Sequence, residues 1–178
     1  MPFFADHDLH PFYRKNPKAR TRFIGLVGGC SNKRVANSSV RGRDLYRGAL
    51  AQMSIRWLDR NCEQWYLLSP KYHLLEPDRV VAPYKGRISD LNDDDKIAWA
   101  QTVSIQLKEK VGFKTPFVIL AGAEFADALH LPEEFRLFPE FKIYDPTPRM
   151  MMGLRMNWIR SNPVMSKAVV HKIKHGES

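Results

Sequence analysis

Between Ser69 and Tyr84 the chain reads SPKYHLLEPDRVVAPY, and this short span offers nearly every polar group that enzymes use. Ser69 supplies a hydroxyl, Lys71 an ammonium, His73 an imidazole, Asp78 a carboxylate, and Tyr72 and Tyr84 phenols. Such a set can carry acid–base chemistry and stack a flat heterocycle. Pro70, Pro77 and Pro83 fix φ at three points, so the span is stiff. A long rigid loop dense in polar and aromatic groups fits a site better than a connector. A Ser69/His73 or Cys30/His73 nucleophile pair is available, but the spacing matches no nucleophile signature.

Three apolar runs must position this loop. Phe23–Val27 (FIGLV), Trp65–Leu68 (WYLL) and Phe117–Leu120 (FVIL) each read as a buried strand. The first ends at Gly28-Gly29-Cys30-Ser31-Asn32-Lys33-Arg34, a glycine pair followed by small polar and then basic residues. Backbone there can approach a ligand closely. The GxxxxGK[ST] and GxGxxG spacings are both absent, so neither a P-loop nor a dinucleotide fingerprint is present. The third run leads through Ala121-Gly122-Ala123 to Glu124, at the start of a short helix. Helices are also predicted over Asp44–Leu58, and from Asn92 or Asp93 to a stop at Gly112. Asp93, Asp94 and Asp95 suit that first turn, where carboxylates complement the helix dipole. Met150–Ile159 reads as a helix or packed turn, its methionines as core fillers.

Strands alternating with helices predict an α/β fold, a three-layer α/β/α sandwich with a mostly parallel central sheet. Ligands bind such sheets outside the carboxyl ends of the strands. The loops Gly28–Arg34, Ser69–Tyr84 and Ala121–Glu124 all follow strands, so they are expected to converge on one edge. Residues 1–22 read as a basic arm, 23–160 as a single domain and 161–178 as a basic, mobile tail.

The chain has 178 residues, 44% of them hydrophobic, enough for a real core. Its net charge of +9 favours a polyanionic partner, nucleic acid before an anionic membrane surface. Arg41, Arg43 and Arg47 add to the cations beyond the first loop. Two cysteines outside any CxxC pair argue against a zinc site or a disulfide scaffold. With no apolar leader and no membrane-length run, a cytoplasmic protein without cofactor or metal is expected.

The central span resembles the pattern S-A-K-x-G-L-L-x-P-D-x-x-x-x-P-Y of a bacterial and phage domain family of unassigned function. That family is distantly similar to the YaaA peroxide-stress proteins. Flanking matches occur in order: Gly29-Cys30-Ser31 with Lys33, then Asp44-Leu45-Tyr46, then Gly153 with Trp158. The family pattern has Gly where this chain has His73, which either adds a catalytic or base-reading imidazole or fills a pocket. The resemblance implies a uracil-DNA glycosylase-like architecture, DNA (phage or modified) as partner, and a site at Cys30, Ser31, Lys33, Ser69, Lys71, Asp78 and Tyr84.

A DNA glycosylase would need a carboxylate for the oxocarbenium-like sugar and donors for the departing base. Asp78 is the first choice for the carboxylate and Glu124 the second. His73, Lys71 or the backbone near Ser31 would serve the leaving base. Tyr72 or Tyr84 would stack on an extruded base, with Cys30, Asn32 and Ser69 around it. Lys33, Arg34, Arg41 and Arg43 would hold phosphates. A non-catalytic YaaA-like DNA-binding protein and a small-molecule nucleoside or nucleotide enzyme are the alternatives.

Overall fold

The computed structural model describes residues 21–28, 38–112, 116–130 and 143–175. Its centre is a five-stranded sheet built from β1 (Thr21–Gly28), β3 (Cys62–Ser69), β4 (His73–Leu75), β6 (Phe117–Leu120) and β7 (Ile143–Tyr144). The strand order is β4-β3-β1-β6-β7, parallel throughout except for the edge hairpin β3–β4. A separate antiparallel pair joins β2 (Val40–Arg41) to β5 (Val80–Val81).

The three apolar runs form the three central strands because their side chains are buried on both faces. Alternate residues divide between two cores. Phe23, Val27, Trp65, Leu67, Val118 and Leu120 pack with α2 (Ala49–Asn61) and Ile159 of α5 (Met152–Ser161). Ile24, Leu26, Tyr66, Leu68, Phe117 and Ile119 pack with α3 (Asp93–Val111) and α4 (Ala123–His130). Helices therefore cover both faces of a mostly parallel sheet.

α3 begins and ends where its sequence signals lie. The Asn92 side chain accepts from the Asp95 amide at 2.8 Å, and Gly112 closes the helix at φ 73°. Asp93 pairs with Lys96 at 3.2 Å, so that carboxylate does structural work.

The helix expected over Asp44–Leu58 is instead broken. α1 (Gly42–Leu45) stops at Tyr46, whose backbone is extended, and α2 restarts after Gly48. The break delivers the Tyr46 side chain into the core, where it is fully buried, and Gln52 donates to the Tyr46 carbonyl at 2.6 Å. Where a basic tail is expected, α6 (Lys167–His175) packs Val169 and Val170 against the α2–α5 core. Buried Asn61 fastens this end by bonding Pro163 and Met165.

Gly28, at the carboxyl end of β1, lies so close to β6 that an added Cβ would meet Ala121 Cβ and Phe125 Cδ2, each at 2.7 Å. The Ala121 methyl cannot swing away. Gly28→Ala is expected to cost about 1–3 kcal/mol, read by chemical denaturation. A loss within error of zero would show that the two strand ends separate easily.

Candidate functional site

The carboxyl ends of the three central strands meet at one rim. Gly28 is level with Leu68, and Val27 with both Leu67 and Leu120. The chain runs from β1 to β3 on one side and later crosses back from β4 to β6 on the other. The strand order therefore reverses between β1 and β6 and a crevice opens there, the usual ligand position in such folds. A cavity of about 440 Å³ occupies this place. Gly28, Pro70 and Ala121 to Phe125 form its strand side, Tyr46 and residues 48–51 a second wall, and Arg87, Thr147, Met152 and Arg155 close it. The volume falls within the roughly 300–1,000 Å³ of small-ligand sites.

Among the described residues, Glu124 is the carboxylate that lines this cavity, and it is exposed there. It sits in the first turn of α4, where the helix dipole favours negative charge. Asp78 lies elsewhere. Its carboxylate pairs with the Arg43 Nε at 3.2 Å and is not among the cavity-lining groups. Arg43 reaches Asp59 at 3.5 Å and lies 5.5 Å over the Trp65 ring, while Asp59 accepts from the Trp65 indole at 2.7 Å. Arg43 and Asp78 thus tie the 76–79 turn to α1 and α2. The Gly42 and Arg43 amides reinforce that tie by donating to the Arg79 and Pro77 carbonyls. Arg41 is exposed on β2.

A second cluster adjoins the cavity. Ser69, fully buried, hydrogen-bonds the Tyr84 hydroxyl at 2.7 Å and accepts from the Tyr72 amide at 3.0 Å. Tyr84 also bonds the Tyr46 hydroxyl at 2.9 Å, so a run of hydroxyls reaches from the Ser69 turn to the cavity wall. The Lys71 ammonium lies 5.3 Å from the Tyr72 ring centre and 5.9 Å from that of Tyr84. The two rings meet edge to face. Burial pushes the Tyr84 phenol upward, against hydrogen bonds from Ser69, Tyr46 and the Lys71 backbone. Ser69, Lys71, Tyr72 and Tyr84 therefore come together as expected, but as a packed buttress next to the cavity rather than as its lining.

His73 opens β4 with φ 58°, a left-handed conformation that glycine adopts freely and other residues at a cost of about 1–2 kcal/mol. A glycine, as in the pattern that this span resembles, would meet this turn's backbone without that cost. Burial lowers the His73 imidazole below its ordinary value. The unfolded chain then binds the proton more readily. The stability this group contributes is present above its unfolded pKa of about 6.5 and is lost as pH falls toward the lower folded value. His73→Gly is expected to leave stability at neutral pH unchanged or raised by up to about 1 kcal/mol, since relieved strain offsets glycine's entropy. It should also flatten the acid-side decline. Thermal melts at pH 5 and 7 check both, and a clear loss at pH 7 would show that the imidazole itself is needed.

Cys30, Ser31, Asn32, Lys33 and Arg34 lie outside the described residues. Cys62 is buried at the opposite end of β3, where burial pushes its thiol up and keeps it unreactive. Among the described residues, no group of three His, Cys, Asp or Glu side chains is placed to hold a metal ion. Nor is any helix long and apolar enough to cross a membrane.

Tyr46, Arg87, Thr147 and Arg155 line the cavity but do not stand out in the sequence as site residues. Arg155 carried a signal: it lies four residues before Ile159 on the same helix face, an arginine where a core residue belongs. The methionines correct an expectation. Met151 and Met152 are 75% and 65% exposed, and Leu154 is 59% exposed, because α5 buries Arg155 and Ile159 instead.

A family model matches residues 24–161, more than three-quarters of the chain. The chain belongs to DUF6884, a family of unknown function. The DUF6884 match spans all three strand ends of the rim and ends at the last residue of α5. No curated protein and no solved structure matches the chain.

Proposed function

We propose that this DUF6884 protein binds DNA and releases a modified nucleobase, with the rim cavity receiving the extruded base. The observation that carries the reading is the cavity itself, at the joined carboxyl ends of β1 and β6 and edged by the Glu124 carboxylate. A base is a flat group with an apolar face and polar edges. The cavity offers it Leu50, Leu120 and Phe125 together with Tyr46, Thr147 and Arg87. Cleavage of the N-glycosidic bond builds positive charge on the sugar, which a carboxylate at the mouth stabilises while water attacks. The bonding electrons leave with the base, where Arg87 offers a donor. The carboxylate role therefore moves from Asp78, held by Arg43, to Glu124.

The +9 charge and the helices on both faces of the sheet support a polyanionic partner and a uracil-DNA glycosylase-like architecture, respectively. The reading also fits a role in phage defence, where modified DNA is the target. The test is incubation with several differently modified phage DNAs, followed by mass spectrometry of released bases and an assay for abasic sites. Release of one modified base is the expected result. Salt-sensitive binding without release would leave a YaaA-like DNA-binding protein. Turnover of free nucleosides without DNA binding would make it a small-molecule enzyme.

A further inference from the structure

A second depression, of about 250 Å³, lies farther along the seam between α2 and α5. Arg56 and Arg60 reach it from α2 and Arg160 from α5, over a floor of Trp57 and Ile159. Arg56 and Arg60 are four residues apart and so share one helix face, where like charges repel by a few tenths of a kcal/mol. Among the described residues, no ion pair joins any of the three. The neighbouring Asp59 is turned to Arg43 and Trp65. The floor is pinned: the Trp57 indole donates to the Asn162 carbonyl at 2.6 Å and packs at a 51° tilt against the Trp158 ring, and Asn61 bonds the Trp57 and Pro163 carbonyls. Three arginines line this groove, and among the described residues no carboxylate lines it, so it suits an anion from outside. Guanidinium forks match phosphate oxygens in particular.

We infer that Arg56, Arg60 and Arg160 form a phosphate-binding groove for the nucleic-acid strand whose base enters the rim cavity, an inference that rests on the proposed function. Ile159 lines both depressions, so they are neighbours along the α2–α5 seam. From Ser54 at the cavity to Arg60 is about 9 Å along α2 at 1.5 Å per residue, or about three nucleotides at 3.4 Å each. A strand with one base in the cavity therefore lays its neighbouring phosphates along the arginines. Backbone contacts of this kind fix register and carry no sequence information.

The full chain is titrated with a short labelled single strand and a duplex over a range of salt, reading anisotropy. R56Q/R60Q/R160Q is compared with K96Q/K108Q/K110Q, which removes equal charge from α3 on the opposite face. The groove variant should lower the slope of log K against log salt by about 2–3, at roughly 0.7–0.9 per lost phosphate contact. The α3 variant should leave it unchanged. R160Q alone, which removes one surface cation, should lower the slope by about 0.7–0.9 and keeps the test decisive if the triple variant melts. Equal effects of the two triple variants, or an unchanged slope in the groove variants, overturn the inference. So does groove-dependent binding of pyrophosphate with oligonucleotide affinity unaltered. Base release is followed on the same proteins. Release with an unchanged slope sinks the groove alone, and a lowered slope with no release from any DNA sinks the excision reading alone.

Discussion

Glu124→Gln is expected to reduce base release by roughly 10²–10⁴-fold, the range for losing a positioned acid–base group, while DNA affinity holds or rises slightly. Glutamine keeps the shape of the side chain and removes the charge that would stabilise the sugar cation. Glu124 is exposed at the start of α4, so the fold should tolerate the change. Asp78→Asn is the paired control. Its carboxylate engages Arg43 and is half exposed, so the substitution should cost about 0–1 kcal/mol of stability and leave release almost untouched. Single-turnover release from modified DNA, with binding measured separately, distinguishes the two. Loss of release in Asp78→Asn with full activity in Glu124→Gln would return the carboxylate role to Asp78 and remove the cavity from the mechanism.

Arg155→Met should have the largest effect on stability. The buried guanidinium donates to the carbonyls of Ala121, Thr147 and Met150, and its Nη2 lies 3.9 Å from Asp145. One side chain thus binds the carboxyl end of β6 to α5 and to the turn after β7. Methionine fills much of the same space but leaves three carbonyls without that donor and Asp145 without its cation. Burial already pushes the Asp145 carboxyl upward, opposed by hydrogen bonds from Thr147 and by the Arg155 charge. The expected loss is about 3–5 kcal/mol, or about 6–20 °C in Tm for a chain of this size. Arg155→Lys should recover little, because an ammonium cannot fork to several carbonyls in one plane. Chemical and thermal denaturation of the three proteins check this. A methionine variant melting within a degree or two of the parent would mean that the rim is held by other contacts. Ala121 also edges the cavity, so partial unfolding here should impair base release before the whole protein melts.

The central strands were legible because fully buried parallel strands are unbroken apolar runs, and FIGLV, WYLL and FVIL admit no other economical placement. Asn92 and Gly112 marked the ends of α3 because caps are local chemistry. The meeting of three strand ends at one rim followed from chain direction alone, since parallel strands put their carboxyl ends together. The edge strands β4 and β7 and the β2–β5 pair were not legible. They span two or three residues each and exist through their partners rather than through their own pattern.

Sequence proximity misled most at the site. Asp78 lies close in sequence to Ser69 and Lys71, yet it pairs with Arg43 and does not line the cavity. Arg155 and Tyr46 are distant from that loop, yet they wall the cavity beside it. By itself the sequence determined the central strands, the long capped helix and a strongly basic balance, because burial pattern, capping and charge are properties of short stretches. Only the tertiary structure decided which carboxylate faces the cavity, which arginines are spent on ion pairs and which face a groove. Those outcomes depend on side chains far apart in the chain competing for the same partners.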